Sequence, residues 1–531
     1  DTVIVYPGTY AGNVDFNNKS IVLASRILES GDTTYIDSTI IEGVVLINAD
    51  VDSTALFSGF TITGDFTSRG LIISSDYNVM IEHIKVLGVG GVEFFDAKAR
   101  LHHSTISHNT YSQAGGGIGI YISDISLSNV KIDSNSAFQN QGGGIYVQGS
   151  NSDSSIVTIH GSLINGNDAN GEGGGLFANE YCIINITESS ITNNTTSYGQ
   201  GGGIHNRGVL RVHQTQIEDN LVTYNSGGGI YSSGPFSLHD SHIIGNETSA
   251  SGHGGGIFST GGNDATLPDT LINCIISNNH SIEHGGGMYV NDYSTFYMVN
   301  TLITNNTVGT DENTAYGGGI YSYLNTAGDI DPKMINCTVA NNQVIGSGSG
   351  GGIYNEGQSL AQEMRNTIVW HNYPDAGIGG TPYPNNIEGQ SNTLNTDPLF
   401  VDMNTGDYRL SNYSPCIGTG ILEGAPDTDL DGDPRPQPVD TNPDMGAYEN
   451  ALGERLVGAT YYVASVGSDS SNGQLDTPFR TIQQGINAAW NGDTVIVYPG
   501  TYAGNVDFNN KSIVLASRIL ESGDTTYIDS T

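Results

Sequence analysis

The sequence predicts an all-β solenoid, and three observations carry the prediction. A Gly-Gly-Gly-apolar unit occurs nine times, starting at Gly115, Gly142, Gly173, Gly201, Gly227, Gly254, Gly285, Gly317 and Gly350, with spacings of 26 to 33 residues. Each unit follows an I-x-x-N or V-x-x-N segment, ending at Asn109, Asn135, Asn167, Asn194, Asn220, Asn246, Asn279, Asn306 and Asn342. Short alternating apolar runs fill the intervals without helical periodicity, which marks one coil of a stacked repeat.

In such a stack, equivalent positions lie one above another. The apolar residue after each triplet is then an inward rung. The Asn is a corner rung, since Asn tolerates the left-handed backbone conformation and bonds to its neighbours above and below. The glycines permit a tight turn and a close approach of backbones, and loops of unequal length absorb the uneven spacing. Earlier segments (SIVLAS at 20–25, STIIEGVVLIN at 38–48, SGFTITG at 58–64 and NVMIEHIKVLG at 78–88) alternate in the same way without the triplet. The solenoid is therefore expected over residues 1–400, as ~14 coils in a rod roughly 65 Å long.

A longer period contains the short one. Residues 493–531 repeat residues 1–39 without a difference, so the chain is read as one 492-residue period plus an overlap. Residues 401–450 are expected to close the solenoid, 451–459 to link, and 460–531 to begin the next module. That beginning is a cap strand, a cap helix over 478–491 and a second copy of the first coils. Thr477-Pro478 is a helix start and Gly492 a stop, and Phe479, Ile482, Ile486 and Ala489 share one apolar face. Such a helix can cover the open end of a stack and hide its edge strands. On this reading the chain is a window out of phase with its natural unit and continues upstream of residue 1.

Composition narrows the function classes. Seventeen Lys+Arg against 55 Asp+Glu give a formal charge of −38. Such a surface repels nucleic acid and anionic membranes and attracts divalent cations. No apolar run reaches the ~20 residues of a membrane span, so no membrane insertion is expected. Cys274 and Cys337 sit at matching repeat positions two coils apart, ~10 Å in a 4.8 Å stack, too far for a disulfide.

The GGGI and IxxN units resemble the repeats of polymorphic outer-membrane autotransporters, whose passengers are right-handed parallel β-helices. This chain has Gly where that family usually has Ala, and Ile or Val where it has Phe. The segment beginning YYVASVGSD at Tyr461 resembles the start of secreted bacterial right-handed β-helix proteins, including pectate-lyase-like ones. The motifs DPLFVD, GDYRL, SPCIGTG, DLDGDPR and DMGAYE resemble their closing segment. The resemblance implies a right-handed parallel β-helix with a short N-terminal capping helix, and an extracellular, cell-surface location.

Two groups of candidate site residues follow. Asp427, Asp429, Asp431 and Asp433, with Gly432 between the last two, match the first half of a calcium loop, making Ca2+ a candidate ion. Pro438 stands where a bidentate Glu is expected, and an acidic turn held by Arg435 is the competing reading. Asp440 and Asp444 fit poorly as late ligands. Second, Tyr146, Phe177, His205, Tyr231, Phe258, Tyr289, Tyr321 and Tyr354 directly follow the triplet-apolar unit and form a stripe beside the inward rungs. That stripe is either a stacked ladder stiffening the sheet or a platform for glycans or a second rod.

No catalytic residue is assigned. Lys131, Arg207, Arg211, Lys333 and Arg365 are the few bases of the middle coils, and none sits in an Asp-rich segment. The expectation is a non-catalytic structural or adhesive module, repeating head to tail with copies of itself as neighbours. The alternative is a carbohydrate-active β-helix enzyme or a glycan-binding module.

Overall fold

The computed structural model describes residues 1–65, 67–261, 268–291, 296–324, 333–357, 364–374, 387–389, 392–394 and 397–531. Among them the chain winds as a parallel β-helix. Three long sheets contain 14, 16 and 13 strands, and an eight-stranded ladder of two-residue strands runs beside them. One coil shows the plan. Cys182–Thr187 lies in the first sheet, Ser190–Thr192 in the second, Thr195–Thr196 in the short ladder and Ile204–Asn206 in the third. Val209–His213 then returns to the first sheet, with Ile184 beside Leu210 and Ile186 beside Val212.

Corners are set by single left-handed residues. In this coil they are Glu188 (φ 48°), Asn193 (φ 54°) and Gly201 (φ 71°), and one coil later Gln214, Asp219 and Gly227. Asn, Asp and Gly reach that region at low cost, so the Asn193, Asp219 and glycine corners are written in residue type, whereas the corner held by Glu188 and Gln214 is not.

The expected Asn column is present and extends one rung further, from Asn109 to Asn372. Each side chain is buried, and its Nδ2 donates to Oδ1 of the next Asn at 2.9–3.0 Å. The same Oδ1 accepts the preceding Asn's backbone N–H, and Nδ2 also donates to a carbonyl in the coil before, as Asn220 does to Ile191 O. A buried corner of backbone thus has its polar groups satisfied by one residue type repeated in register.

The three glycines of each unit answer different constraints. The first has φ between 65° and 75° in all nine. The second and third lie too close to the next coil for a side chain. A Cβ on Gly202 would meet Gly228 O at 2.5 Å, and one on Gly203 would meet Gly229 O at 2.6 Å. The inward rungs that follow (Ile118, Ile145, Leu176, Ile204, Ile230, Ile257, Met288, Ile320 and Ile353) are at most 1% exposed. They join a single core running from Phe16 to Val369. At about 1.5–3 kcal/mol per buried aliphatic side chain, this column is the main favourable term.

The closing segment lies along the flank of the last coils. Phe400, Met403, Tyr408, Leu410, Ile417 and Met445 pack against Leu302, Ala340 and Ile368, on the outer face of the second sheet. Three corner asparagines hold it there. Asn300 donates to Thr428 O, Asn336 to Asp444 O, and Asn366 to Ile421 O.

The second module start is built as expected, with a shorter helix. It spans Ile482–Ala488, and the Thr481 hydroxyl caps it by accepting from Gln484 N. Phe479, expected inside the helix, is extended instead: its N–H donates to Tyr462 O and its carbonyl accepts from Ala464 N. It is nonetheless fully buried with Tyr461, Val463 and Val495.

Replacing Asn220 by Ala leaves the Asn194 N–H and neighbouring amide groups without partners, and should destabilise the solenoid by about 3 kcal/mol in urea unfolding. A loss under about 0.5 kcal/mol, typical of an inert surface change, would contradict the ladder's role. Gly203→Ala should cost more than the ~1 kcal/mol gap between Gly and Ala propensities, with the opposite sign to the usual gain from removing a glycine.

Candidate functional site

The aromatic stripe is a continuous stack. Centroid distances from Tyr146 through Phe177, His205, Tyr231, Phe258, Tyr289 and Tyr321 to Tyr354 run from 4.7 to 5.5 Å, and all seven pairs are stacked. Phe177, His205, Phe258, Tyr321 and Tyr354 are under 9% exposed. The cover is the glycine turn: a Cβ on Gly227 would lie 2.8 Å from Tyr231 Cβ, and one on Gly350 would lie 2.6 Å from Tyr354 Cβ. The ring faces are occupied by one another, so the column has the geometry of the stiffening ladder.

A second column, which the sequence reading missed, runs beside it. His253 stacks on His284 at 5.1 Å, His284 lies 5.3 Å from Tyr316, and Tyr316 stacks on Tyr354 at 4.6 Å. His253 Nε2 also pairs with Glu283 at 3.1 Å. Each of the three directly precedes its glycine triplet (His253-Gly254, His284-Gly285, Tyr316-Gly317), and that shared position is the signal from which the sequence could have given the column.

His205 is the one imidazole of the first column. Arg207 Nε donates to its Nε2 at 3.0 Å, which fixes an unprotonated Nε2, and Arg207 Nη2 reaches Glu172 at 3.3 Å. Burial first, and then the Arg207 charge, push its pKa down to about 3. Lys131, another of the few bases, pairs with Asp133 at 3.1 Å.

The acidic loop is organised differently from a calcium loop. Asp429 is buried, and its Oδ1 accepts the N–H groups of Asp431 and Asp433 while Oδ2 accepts that of Glu449. Asp427, Asp431 and Asp433 do not converge with it: among the described residues no three His, Cys, Asp or Glu side chains form a metal-holding group. Both oxygens of Asp429 are taken by backbone amides. Arg435 does not hold the acidic turn through its side chain either. It pairs with Glu449 at 2.9 Å, both side chains fully buried, and donates to Asn300 Oδ1 and Gly446 O.

Asp444, read from sequence as a poor late ligand, accepts the N–H groups of Gly418 and Asn450. Burial and the nearby Glu449 push its pKa up to about 8. The cluster fastens the closing segment to the flank of the solenoid.

An open groove follows the corner between the first and second sheets, lined by Glu188, Gln214, Gln216, Asp240 and His242. His213 Nδ1 lies 3.2 Å from Asp240 on its rim.

A family model described as a right-handed beta helix region matches residues 26–188. The fold is a right-handed parallel β-helix. Among solved structures, a mutant of the PL6-family alginate lyase AlyGC aligns over 98% of this chain at 12% identity, with a TM-score of 0.35. This chain spans 64% of the length of that one. No curated protein matches the sequence. The expectation of a non-catalytic chain stands corrected: this solved structure is that of a lyase, and neither the presence nor the lack of an enzyme activity is established for the chain. At that identity the likeness is one of fold and assigns no activity. No helix among the described residues is long and apolar enough to cross a membrane.

Arg435→Met should destabilise the closing segment by about 3–5 kcal/mol, because it strands a buried Glu449. Limited proteolysis should then cut within residues 397–450 before the solenoid, and a variant as resistant as wild type would contradict the fastening role. His205 is neutral in the folded state, whereas the unfolded chain takes up a proton below pH ~6.5, so its burial costs stability progressively as pH falls from there toward 3. His205→Phe should therefore gain in melting temperature relative to wild type between pH 7 and pH 4. A difference independent of pH would contradict this assignment.

Proposed function

We propose that the chain is a structural repeat of an extracellular rod, its 492-residue modules joined head to tail as a spacer at a cell surface. The observation that carries the reading is the contact between the close of one module and the start of the next. Leu399 and Tyr413 of the closing segment share a core with Ala459, Tyr461, Val463 and Phe479 of the cap. Gln484 donates to Asp397 Oδ2 at 2.6 Å, Asn472 to Val401 O at 2.5 Å, and Ser470 to Asn404 Oδ1 at 2.9 Å. Asp397 is completely buried there, and burial pushes its pKa up to about 6. A flexible tether would leave these groups in water. A buried junction with specific hydrogen bonds supports modules held in fixed relation.

The perfect identity of residues 1–39 and 493–531 supports the same reading, because a fold tolerates divergence that keeps the apolar pattern. The acidic surface, with its charge of −38, favours solubility of a long assembly and disfavours collapse of parallel rods onto one another.

Electron microscopy of a chain carrying two full periods tests the reading. Particles should be single unbranched rods with a fixed angle at the midpoint. Two bodies joined at widely varying angles would overturn the spacer function.

A further inference from the structure

The aromatic column changes character along its length. Phe177, His205 and Phe258 interrupt its tyrosines, whereas Tyr289, Tyr321 and Tyr354 follow one another without a break. Their centroids lie 4.8 and 5.5 Å apart, and Tyr316 of the second column stacks on Tyr354 at 4.6 Å. His284 stacks on Tyr321 at 4.8 Å. Four phenol rings are thus in direct contact at one end of the stack. Phe258, stacked between Tyr231 and Tyr289, separates them from the rest.

One of the four has a proton acceptor built beside it. Tyr321 Oη donates to Glu356 Oε2, a carboxylate of the next coil. Tyr321 is beside Tyr354 in the sheet, and alternation puts Glu356 on the same face as Tyr354, two residues further on. At that place in the nine coils, Glu356 is the only carboxylate. Tyr146, at the far end of the column, donates instead to Gln148 Oε1, and an amide cannot take its proton. Tyr321 is 3% exposed, whereas Glu356 is open to water. Burial first, and then the bond to Glu356, push the pKa of the Tyr321 phenol up, so it holds its proton at rest.

We propose that this cluster is a redox site, a sink for one-electron oxidants that meet the chain. At neutral pH a phenol is protonated, and it gives up an electron easily only when a base takes its proton at the same time. The oxidant gains one electron from the cluster. The Tyr321 O–H bond breaks, and its proton forms a new O–H bond at Glu356 Oε2. The products are a neutral Tyr321 phenoxyl radical, a protonated Glu356 and the reduced oxidant. Tyr289 and Tyr316, both half-buried, are the rings through which the electron leaves, and Glu356 exchanges its proton with water. The glycine turn shields the radical from coupling with a second one: a Cβ on Gly317 would lie 2.8 Å from Tyr321 Cα. One electron from a reductant and a proton returned through Glu356 restore the phenol.

Flash oxidation of the full 531-residue chain by a photo-generated ruthenium(III) polypyridyl complex tests the site. Tyrosyl radical is followed by transient absorption and, after freeze-trapping, by electron paramagnetic resonance. The wild-type chain should show a long-lived radical beside the short-lived ones of its exposed tyrosines. Tyr321→Phe keeps the ring in the stack and should remove the long-lived radical, while Tyr146→Phe should leave it. Glu356→Gln should lower its yield by on the order of tenfold, because the amide takes no proton. A long-lived radical of equal yield in wild type and Tyr321→Phe would overturn the proposal, as would its absence from wild type. An unchanged yield in Glu356→Gln would overturn the proton transfer on which it depends.

Discussion

Everything in this molecule depends on one constraint: a residue can be buried in a coil only if the coils above and below present a compatible residue at the same position. The Asn column is its clearest expression. Each buried amide has one donor and one acceptor pointing along the stack, so the bond made upward requires an Asn above and the bond made downward an Asn below. Individually these bonds contribute about 1 kcal/mol net, less than a buried Ile rung. Their importance lies in the penalty for a slip. Shifting one coil by a residue would strand every amide it touches and turn its apolar side chains outward. The Ile column thus supplies stability and the Asn column supplies register.

The same constraint explains the two ends. A stack has no natural stop, because its last coil presents the surface that the next would bind. This chain answers in two ways. At the C-terminal end the closing segment leaves the stacking direction and fastens to the flank through Arg435, Glu449 and Asp429. At a module start, an apolar strand and the seven-residue helix Ile482–Ala488 cover the first strand. The cap touches the preceding module on one side, through Asp397 and Leu399, and the following coils on the other, through Val495 and Val497.

Much of this was legible in the sequence, where physics repeats. The triplet, the Asn rung and the inward apolar residue recur in nine successive coils, so nine instances reinforce one reading, and the tenth Asn rung at Asn372 follows from it. What was not legible depends on contacts made once. Alternation puts Phe258 and Tyr321 beside the inward rungs, but their burial depends on the path of the glycine turn that folds over them. The run Asp427 to Asp433 has the composition of a cation loop. Only the approach of Glu449 and the turn at Gly432 shows that Asp429 binds amides instead. Asn300, Asn336 and Asn366 look like ordinary corner residues, and nothing local indicates that a segment about a hundred residues away binds the first two. Phe479 lies within the expected helix by pattern, yet the bridge to Tyr462 and Ala464 draws it into extended structure.

The central claim is that one module's close and the next module's start form a fixed, buried junction. Spin labels at two exposed positions on either side, Val439 in the closing segment (78% exposed) and Val466 in the cap (92% exposed), report on it without entering the contact. Pulsed electron–electron double resonance on the full chain should give a single narrow distance distribution, which Asp397→Ala together with Leu399→Asp broadens. A broad distribution in the otherwise unaltered chain would contradict the claim.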